Sequence, residues 1–191
     1  RTSLQPMDWA TSINEPMNTP RAALPAYGNA AETMRQTRPE CNLTWTTLAG
    51  IGHVETRHGR YRGASLNDDG FALPPIIGIK LDGSPGFADI PDTDGGRWDG
   101  DPDHDRAVGP MQFIPESWAK YGRDANGDGM ADPNQIDDAA IAAARLLCEN
   151  GGDLSVAENW QKAILAYNAS QDYVMRVRDS AAAYSVGTTA P

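Results

Sequence analysis

Apolar residues recur at helical spacing in four long stretches of the chain and lose that rhythm between them. The run Thr44-Trp45-Thr46-Thr47-Leu48-Ala49-Gly50-Ile51-Gly52-His53-Val54-Glu55 sets Leu48, Ile51 and Glu55 along one face, the pattern of a helix with one buried side. Thr44 is its expected N-cap and Gly59 its stop, because a threonine hydroxyl suits a helix start and glycine suits its left-handed exit. Ile136 to Asn150 is rich in Ala and Leu and closes on Asn150-Gly151-Gly152, a conventional helix end. Ser155-Val156-Ala157-Glu158 has capping-box spacing, and Trp160, Ile164 and Tyr167 share a face of the helix it would open. A last helix is expected from about Asp172 to Tyr184, followed by a frayed tail, Ser185 to Pro191. Pro115 to Tyr121 predicts a shorter helix, with proline in its first turn and Gly122 just beyond its end.

The intervening segments read differently. Residues 1–40 hold Pro6, Pro16, Pro20, Pro25 and Pro39 with little apolar rhythm, and predict an extended N-terminal arm. Residues 60 to 112 are rich in Gly, Pro and Asp, with short apolar runs such as Ala72-Leu73-Pro74-Pro75-Ile76-Ile77-Gly78-Ile79, and predict loops with a short hairpin. The expected fold class is mainly α: a helical domain over 41–184 with a small loop-rich or hairpin lobe.

Bulk properties narrow the partners. A chain of 191 residues, 40% hydrophobic, supports one substantial core. A net charge of −10 argues against nucleic-acid binding, which needs clustered Lys and Arg. No apolar run approaches the roughly 20 residues that span a bilayer, and the start lacks the apolar core of a signal peptide, as in a mature or trimmed protein. Cys41 and Cys148 are the two cysteines. A bridge between them would close a loop of roughly 100 residues, worth about 4 to 5 kcal/mol in the chain-entropy model, and would place the protein in an oxidising, extracytoplasmic setting. Two buried thiols are the alternative; low lysine, the loop composition and the pairable count favour the bridge.

Candidate chemistry starts at Glu55. An acid at the buried side of an apolar helix is desolvated, and desolvation keeps a carboxyl protonated near neutral pH, as a general acid requires. On its own this competes with a surface glutamate paired to Arg57 or Arg60. Two further segments change the balance: Gly109-Pro110-Met111-Gln112-Phe113 and Ala166-Tyr167-Asn168. With Glu55, in this order, they resemble the lytic transglycosylases, most closely the membrane-bound lytic transglycosylase B family in its secreted actinobacterial form, over roughly residues 41 to 184.

The resemblance implies a lysozyme-like helical domain with a cleft between a helical and a loop-rich lobe. It implies Glu55 as catalytic acid/base, Gln112 in contact with substrate near the scissile bond with Met111 and Phe113 beside it, and Tyr167 and Asn168 at the border of the same cleft. It implies peptidoglycan glycan strands as substrate, cut between N-acetylmuramic acid and N-acetylglucosamine by a single carboxyl, with a 1,6-anhydro end as product and no catalytic cofactor; a monomer is expected. Some relatives place a serine nine positions before the glutamine, where this chain has Asp103. A second acid there would raise the Glu55 pKa or position water. A muramidase that adds water is therefore the rival enzyme, and a non-catalytic peptidoglycan-binding module the rival from another class.

Asp124-Ala125-Asn126-Gly127-Asp128-Gly129-Met130 reproduces the start of a calcium loop, with oxygens from Asp124, Asn126, Asp128 and the Met130 carbonyl. The twelfth position holds Gln135, which cannot chelate as a carboxylate, so Asp138 is the expected substitute in a longer loop of a kind the resembled family has; Asp132 caps or stays solvated. A calcium sensor is a weaker reading than a structural ion. The acidic stretch Asp82 to Asp105 is too irregular for a named metal site and predicts a cleft rim, with Trp98 a sugar-stacking candidate. His53, His58 and His104 lack zinc spacing and are expected to be local hydrogen-bonding residues.

Overall fold

Burial is deepest along the Ala-rich helix, whose Ile136, Ala139, Ala140, Ala142, Ala143 and Leu147 are wholly inaccessible in the computed structural model, which describes residues 17–191. Among the described residues there are six helices, α1 (Ala23–Thr37), α2 (Trp45–Thr56), α3 (Pro115–Tyr121), α4 (Ile136–Gly151), α5 (Ala157–Tyr167) and α6 (Gln171–Ser185). A 3-10 turn, Pro39–Cys41, precedes α2, and a two-stranded hairpin, β1 (Ser65–Leu66) and β2 (Ala72–Leu73), follows it. Small residues on α4 let α1 and α5 pack onto it, while α2 packs on α6 and α1. Close approach explains two glycines on α2. A Cβ at Gly50 would lie 2.9 Å from the Val177 carbonyl of α6, and one at Gly52 would lie 2.0 Å from the Tyr27 hydroxyl of α1.

The mainly helical class with a hairpin lobe is as expected, but three local readings are corrected. Residues 23–37 are not an extended arm: Leu24, Tyr27, Ala30 and Met34 form the buried face of α1. Pro25 fits because it stands in the first turn, where a missing N–H breaks no intrahelical bond. The part of the arm reading that falls on residues 1–16 lies outside the described residues. The capping box at Ser155 does not form, because both the amide and the hydroxyl of Ser155 donate to Asp153 Oδ1, leaving Val156 as the N-cap of α5. Residues after α6 do not fray: Ala190 is buried and the Pro191 carbonyl accepts from His53 Nε2 at 2.9 Å.

The hairpin pairs Ser65 with Leu73 and Leu66 with Ala72, and seals a small second core of Ala64, Ala72 and Ile76. The long segment behind it is pinned by bridges between Ile77 and Val108, Pro91 and His104, and Val108 and Phe113. Cys41 and Cys148 are joined, so the turn before α2 is fastened to the end of α4. No described helix is long and apolar enough to cross a membrane.

Candidate functional site

Helix α2 carries Glu55 in its last turn and ends abruptly. Arg57 leaves the helix at φ 52°, His58 follows at 61° and Gly59 at 85°. Two successive non-glycine residues in the left-handed region are strained, and neighbouring contacts must hold them there. The His58 ring supplies one: it is buried between the Tyr27 hydroxyl, 2.7 Å from Nδ1, and the Tyr184 hydroxyl, 2.8 Å from Nε2. Burial pushes its pKa down to about 3, so the ring is neutral. Thr56 supplies the other, donating from Oγ1 to the Pro110 carbonyl at 2.6 Å and accepting from Gly59 N at 2.8 Å. The exit of the Glu55 helix is thereby tied to the Gly109–Phe113 loop.

That loop turns tightly. Gly109 lies so near residue 133 that a Cβ would meet the Pro133 carbonyl at 1.9 Å. Gln112 has φ 55° and donates from Nε2 to the Gly109 carbonyl at 2.9 Å. The Met111 carbonyl accepts from the Tyr167 hydroxyl at 2.6 Å. Tyr167 meets Phe113 edge-on, with centroids 5.6 Å apart, and lies parallel to Tyr173 at 6.5 Å. Tyr173 in turn donates to Glu55 Oε2 at 3.2 Å. Glu55, Tyr173, Tyr167 and the Met111–Phe113 loop thus form one continuous wall built from α2, α6, α5 and the loop.

Burial pushes the Glu55 carboxyl up to about 7, opposed by the Tyr173 hydroxyl and the Arg176 charge. The alternative pairing with Arg57 or Arg60 is absent among the ion pairs of the described residues. Such a carboxyl can give a proton at neutral pH and take one back. Tyr173 was not singled out from the sequence; its signal is an aromatic in the first turn of α6, directly after the Ser170 cap and across a bend from Tyr167.

Other expected site residues are distributed unevenly. Met111 and Phe113 are buried, so they back the wall instead of facing a cleft. Asn168 is exposed at the C-cap of α5, next to Tyr167. Asp103 carries an exposed carboxylate 3.7 Å from Lys80 Nζ, and like-charge repulsion is not among the causes of the Glu55 shift. Trp98 packs partly against the main core, with the Arg97 guanidinium 4.7 Å above its ring. Each histidine is a hydrogen-bonding residue, but the bonds are not local in the chain for His53 and His58, whose partners are Pro191, Tyr27 and Tyr184; His104 meets Asp89 at 3.1 Å.

The acidic stretch is more ordered than its sequence suggests. Asp99, Asp101 and Asp105 are buried, with carboxylates that accept from backbone amides: Asp99 from Asp101 and Arg106, Asp101 from Asp103 and His104, Asp105 from Thr93. In the later loop, Asp124, Asp128 and Asp138 bring carboxylate oxygens within 4.8 Å of one another, as do Asp92, Asp94 and Asp99 in the earlier one. Asp138 is fully buried, and burial followed by the Asp124 charge pushes its carboxyl up. Gln135 is committed elsewhere, accepting from Asp138 N as the cap of α4 and donating to Asp69 and Asp137. The donor set, hard oxygens around a buried acid, suits calcium.

A cavity of about 540 Å³ has Glu55 in its wall, together with Arg57, Arg60, Arg62 and Arg176. A larger one, about 690 Å³, lies between α1, α3 and α4 and does not include Glu55.

Residues 104–153 match the family described as the transglycosylase SLT domain, a segment that contains Gln112 and the calcium-like loop but neither Glu55 nor Tyr167. No curated protein matches the chain in sequence. Among solved structures, the Escherichia coli lytic transglycosylase SLT35 in complex with calcium is similar at a TM-score of 0.53 and 16% identity, over 94% of this chain and 78% of that one. The same enzyme in complex with bulgecin A aligns over the same shares at 16% identity and a TM-score of 0.48. The chain has the mainly helical, lysozyme-like fold of that lytic transglycosylase.

Proposed function

We propose that the protein is a peptidoglycan lytic transglycosylase with Glu55 as its acid/base. The chain is an enzyme acting on murein, a reading supported by the transglycosylase SLT match over 104–153 and by the shared fold. The observation that carries the catalytic assignment is a desolvated carboxyl with a pKa near 7, hydrogen-bonded by Tyr173 and set in one wall with Tyr167 and the Gln112 loop. In this scheme protonated Glu55 gives its proton to the glycosidic oxygen between N-acetylmuramic acid and N-acetylglucosamine. The substrate's N-acetyl group shields the anomeric carbon, which removes the need for a second carboxylate. The Glu55 carboxylate then takes the proton of the muramic C6 hydroxyl as that oxygen closes on C1, leaving a 1,6-anhydro end. Gln112, Tyr167 and Asn168 contact the sugar.

The pairing of Asp103 with Lys80 at 3.7 Å favours this over hydrolysis, since it gives that carboxylate a partner other than a water at the scissile bond. Mass spectrometry of a digest tests the point: the expected products are one water lighter than reducing ends, and a digest of reducing ends alone would identify a muramidase. Glu55→Gln separates either enzyme from a binding module, because a module would bind cell walls equally well with either residue and release nothing.

The disulfide supports an extracytoplasmic location, where such bonds persist. We further infer that Asp124, Asn126, Asp128, the Met130 carbonyl and Asp138 hold a structural calcium ion, a reading supported by the convergence of three of their carboxylates and by the calcium complex of SLT35. The ion would offset the mutual repulsion of Asp124 and Asp138 and lock the loop before α4.

A further inference from the structure

The cavity beside Glu55 has a chemistry that glycan cleavage alone does not explain. Arg57, Arg60, Arg62 and Arg176 converge on it in a chain whose formal charge is −10. None of the four makes an ion pair among the described residues, although acids outnumber bases over the whole sequence. Asp179 also lines the cavity, but its carboxylate is engaged by its neighbour Arg178 at 3.2 Å. Arg60 donates to the Asn18 carbonyl at 3.0 Å, and the Arg62 guanidinium lies over the Tyr61 ring. Arg57 and Arg62 leave the backbone at φ 52° and 48°, conformations that non-glycine residues seldom adopt. Four like charges gathered around about 540 Å³ repel one another unless an anion enters. Guanidinium forks match carboxylates in bidentate geometry.

This inference rests on the reading of Glu55 as the acid that cuts beside muramic acid. The muramic lactyl group bears a short peptide rich in carboxylates, on the same sugar whose C1 reacts, so an acidic chain necessarily leaves the glycan within one residue of Glu55. We propose that the arginine-lined cavity is a subsite for this acidic stem peptide, with its carboxylates held by Arg57, Arg60, Arg62 and Arg176.

Calorimetric titration of a soluble stem peptide tests the subsite without requiring turnover. The peptide with free carboxylates is expected to bind about tenfold more tightly than the same peptide with its carboxylates amidated, and the advantage should shrink as salt rises from about 0.05 to 0.5 M. The double variant Arg60→Gln/Arg176→Gln should erase most of it. Equal binding of the free and amidated peptides by the parent overturns the proposal whether or not the variant folds. So does a variant that melts like the parent and keeps the tenfold preference. In turnover, the parent's kcat/KM ratio for peptide-bearing over peptide-stripped strands should fall by about tenfold in the variant, and an unchanged ratio counts against the subsite. Failure of the Glu55 reading is separate: it would show as Glu55→Gln cutting strands as fast as the parent, with peptide binding intact.

Discussion

Glu55 is partly and Asp101 almost wholly withdrawn from solvent, yet their carboxyls are driven in opposite directions. Glu55 sits among tyrosines and helix backbone with a single hydroxyl donor, and burial pushes it up to about 7. Asp101 accepts from the amides of Asp103 and His104, then from Arg106 Nε, with Lys80 nearby, and is held well below the usual carboxylate range. The difference lies in what each oxygen finds once water is gone. Backbone amides and guanidinium make the charged form the stable one, while aromatic edges and one weak donor favour the proton. A structural acid and a candidate catalytic acid are thus made from similar side chains by their donors.

The largest test of this contrast removes the charge from Glu55. Glu55→Gln should lower turnover by about a thousandfold or more, in the range of a lost general acid, measured as release of soluble glycan fragments. The same substitution should stabilise the fold with a defined pH dependence. Folded Glu55 keeps its proton to about pH 7, while the unfolded chain loses it near 4.5. The parent's stability therefore declines as pH rises through that window and levels off above it. Glu55→Gln should raise the unfolding free energy by about 3 kcal/mol at about pH 8 and by almost nothing at about pH 4, measured by urea titration.

Asp138 is the intermediate case, a buried acid with three amide donors that is still pushed up, because burial outweighs them, with a smaller addition from the Asp124 charge. Here the expected remedy is a cation. A chelator should lower Tm by roughly 5 to 10 °C where calcium had been present at about a hundred times its Kd, while turnover of the still-folded enzyme persists. An unchanged melting curve would remove calcium from the loop. Asp101→Asn should act in the opposite sense from Glu55→Gln, lowering Tm by about 2 to 4 °C, since amides and Arg106 lose their anion. The smallest effect is that of Tyr173→Phe. Loss of its hydroxyl takes away a donor to the charged form, so the alkaline limb of the pH–rate profile should move upward by roughly half to one pH unit.

The sequence points to Glu55 through three short continuous segments taken together: helical periodicity places it beside Leu48 and Ile51, which alone leaves a surface glutamate open, and the Gln112 and Tyr167 motifs shift the balance. It also shows α3 to α6 to within a residue or two. Tyr173 is not visible in the same way, because its role depends on how α6 folds back on α2, a contact between residues more than a hundred positions apart. The α1 helix was hidden by Pro25 and its neighbouring prolines, which suggest a linker unless the spacing of Leu24, Tyr27, Ala30 and Met34 is weighed against them. The Asp103–Lys80 pair is likewise invisible in the sequence, because it joins residues 23 positions apart across the loop.

The buried imidazole of His58 has a bearing on how the molecule may be dissected. It receives Tyr27 from the first described helix and Tyr184 from the last, and it stands three residues beyond Glu55. A fragment beginning at Cys41, the excision that motif boundaries alone would suggest, strips away Tyr27 and leaves Nδ1 facing an empty slot, a loss of about 1 to 3 kcal/mol for an unsatisfied buried polar atom. An excised unit that keeps both hydrogen bonds of this ring therefore includes α1, so that the first and last described helices stay clasped by one side chain three residues from Glu55.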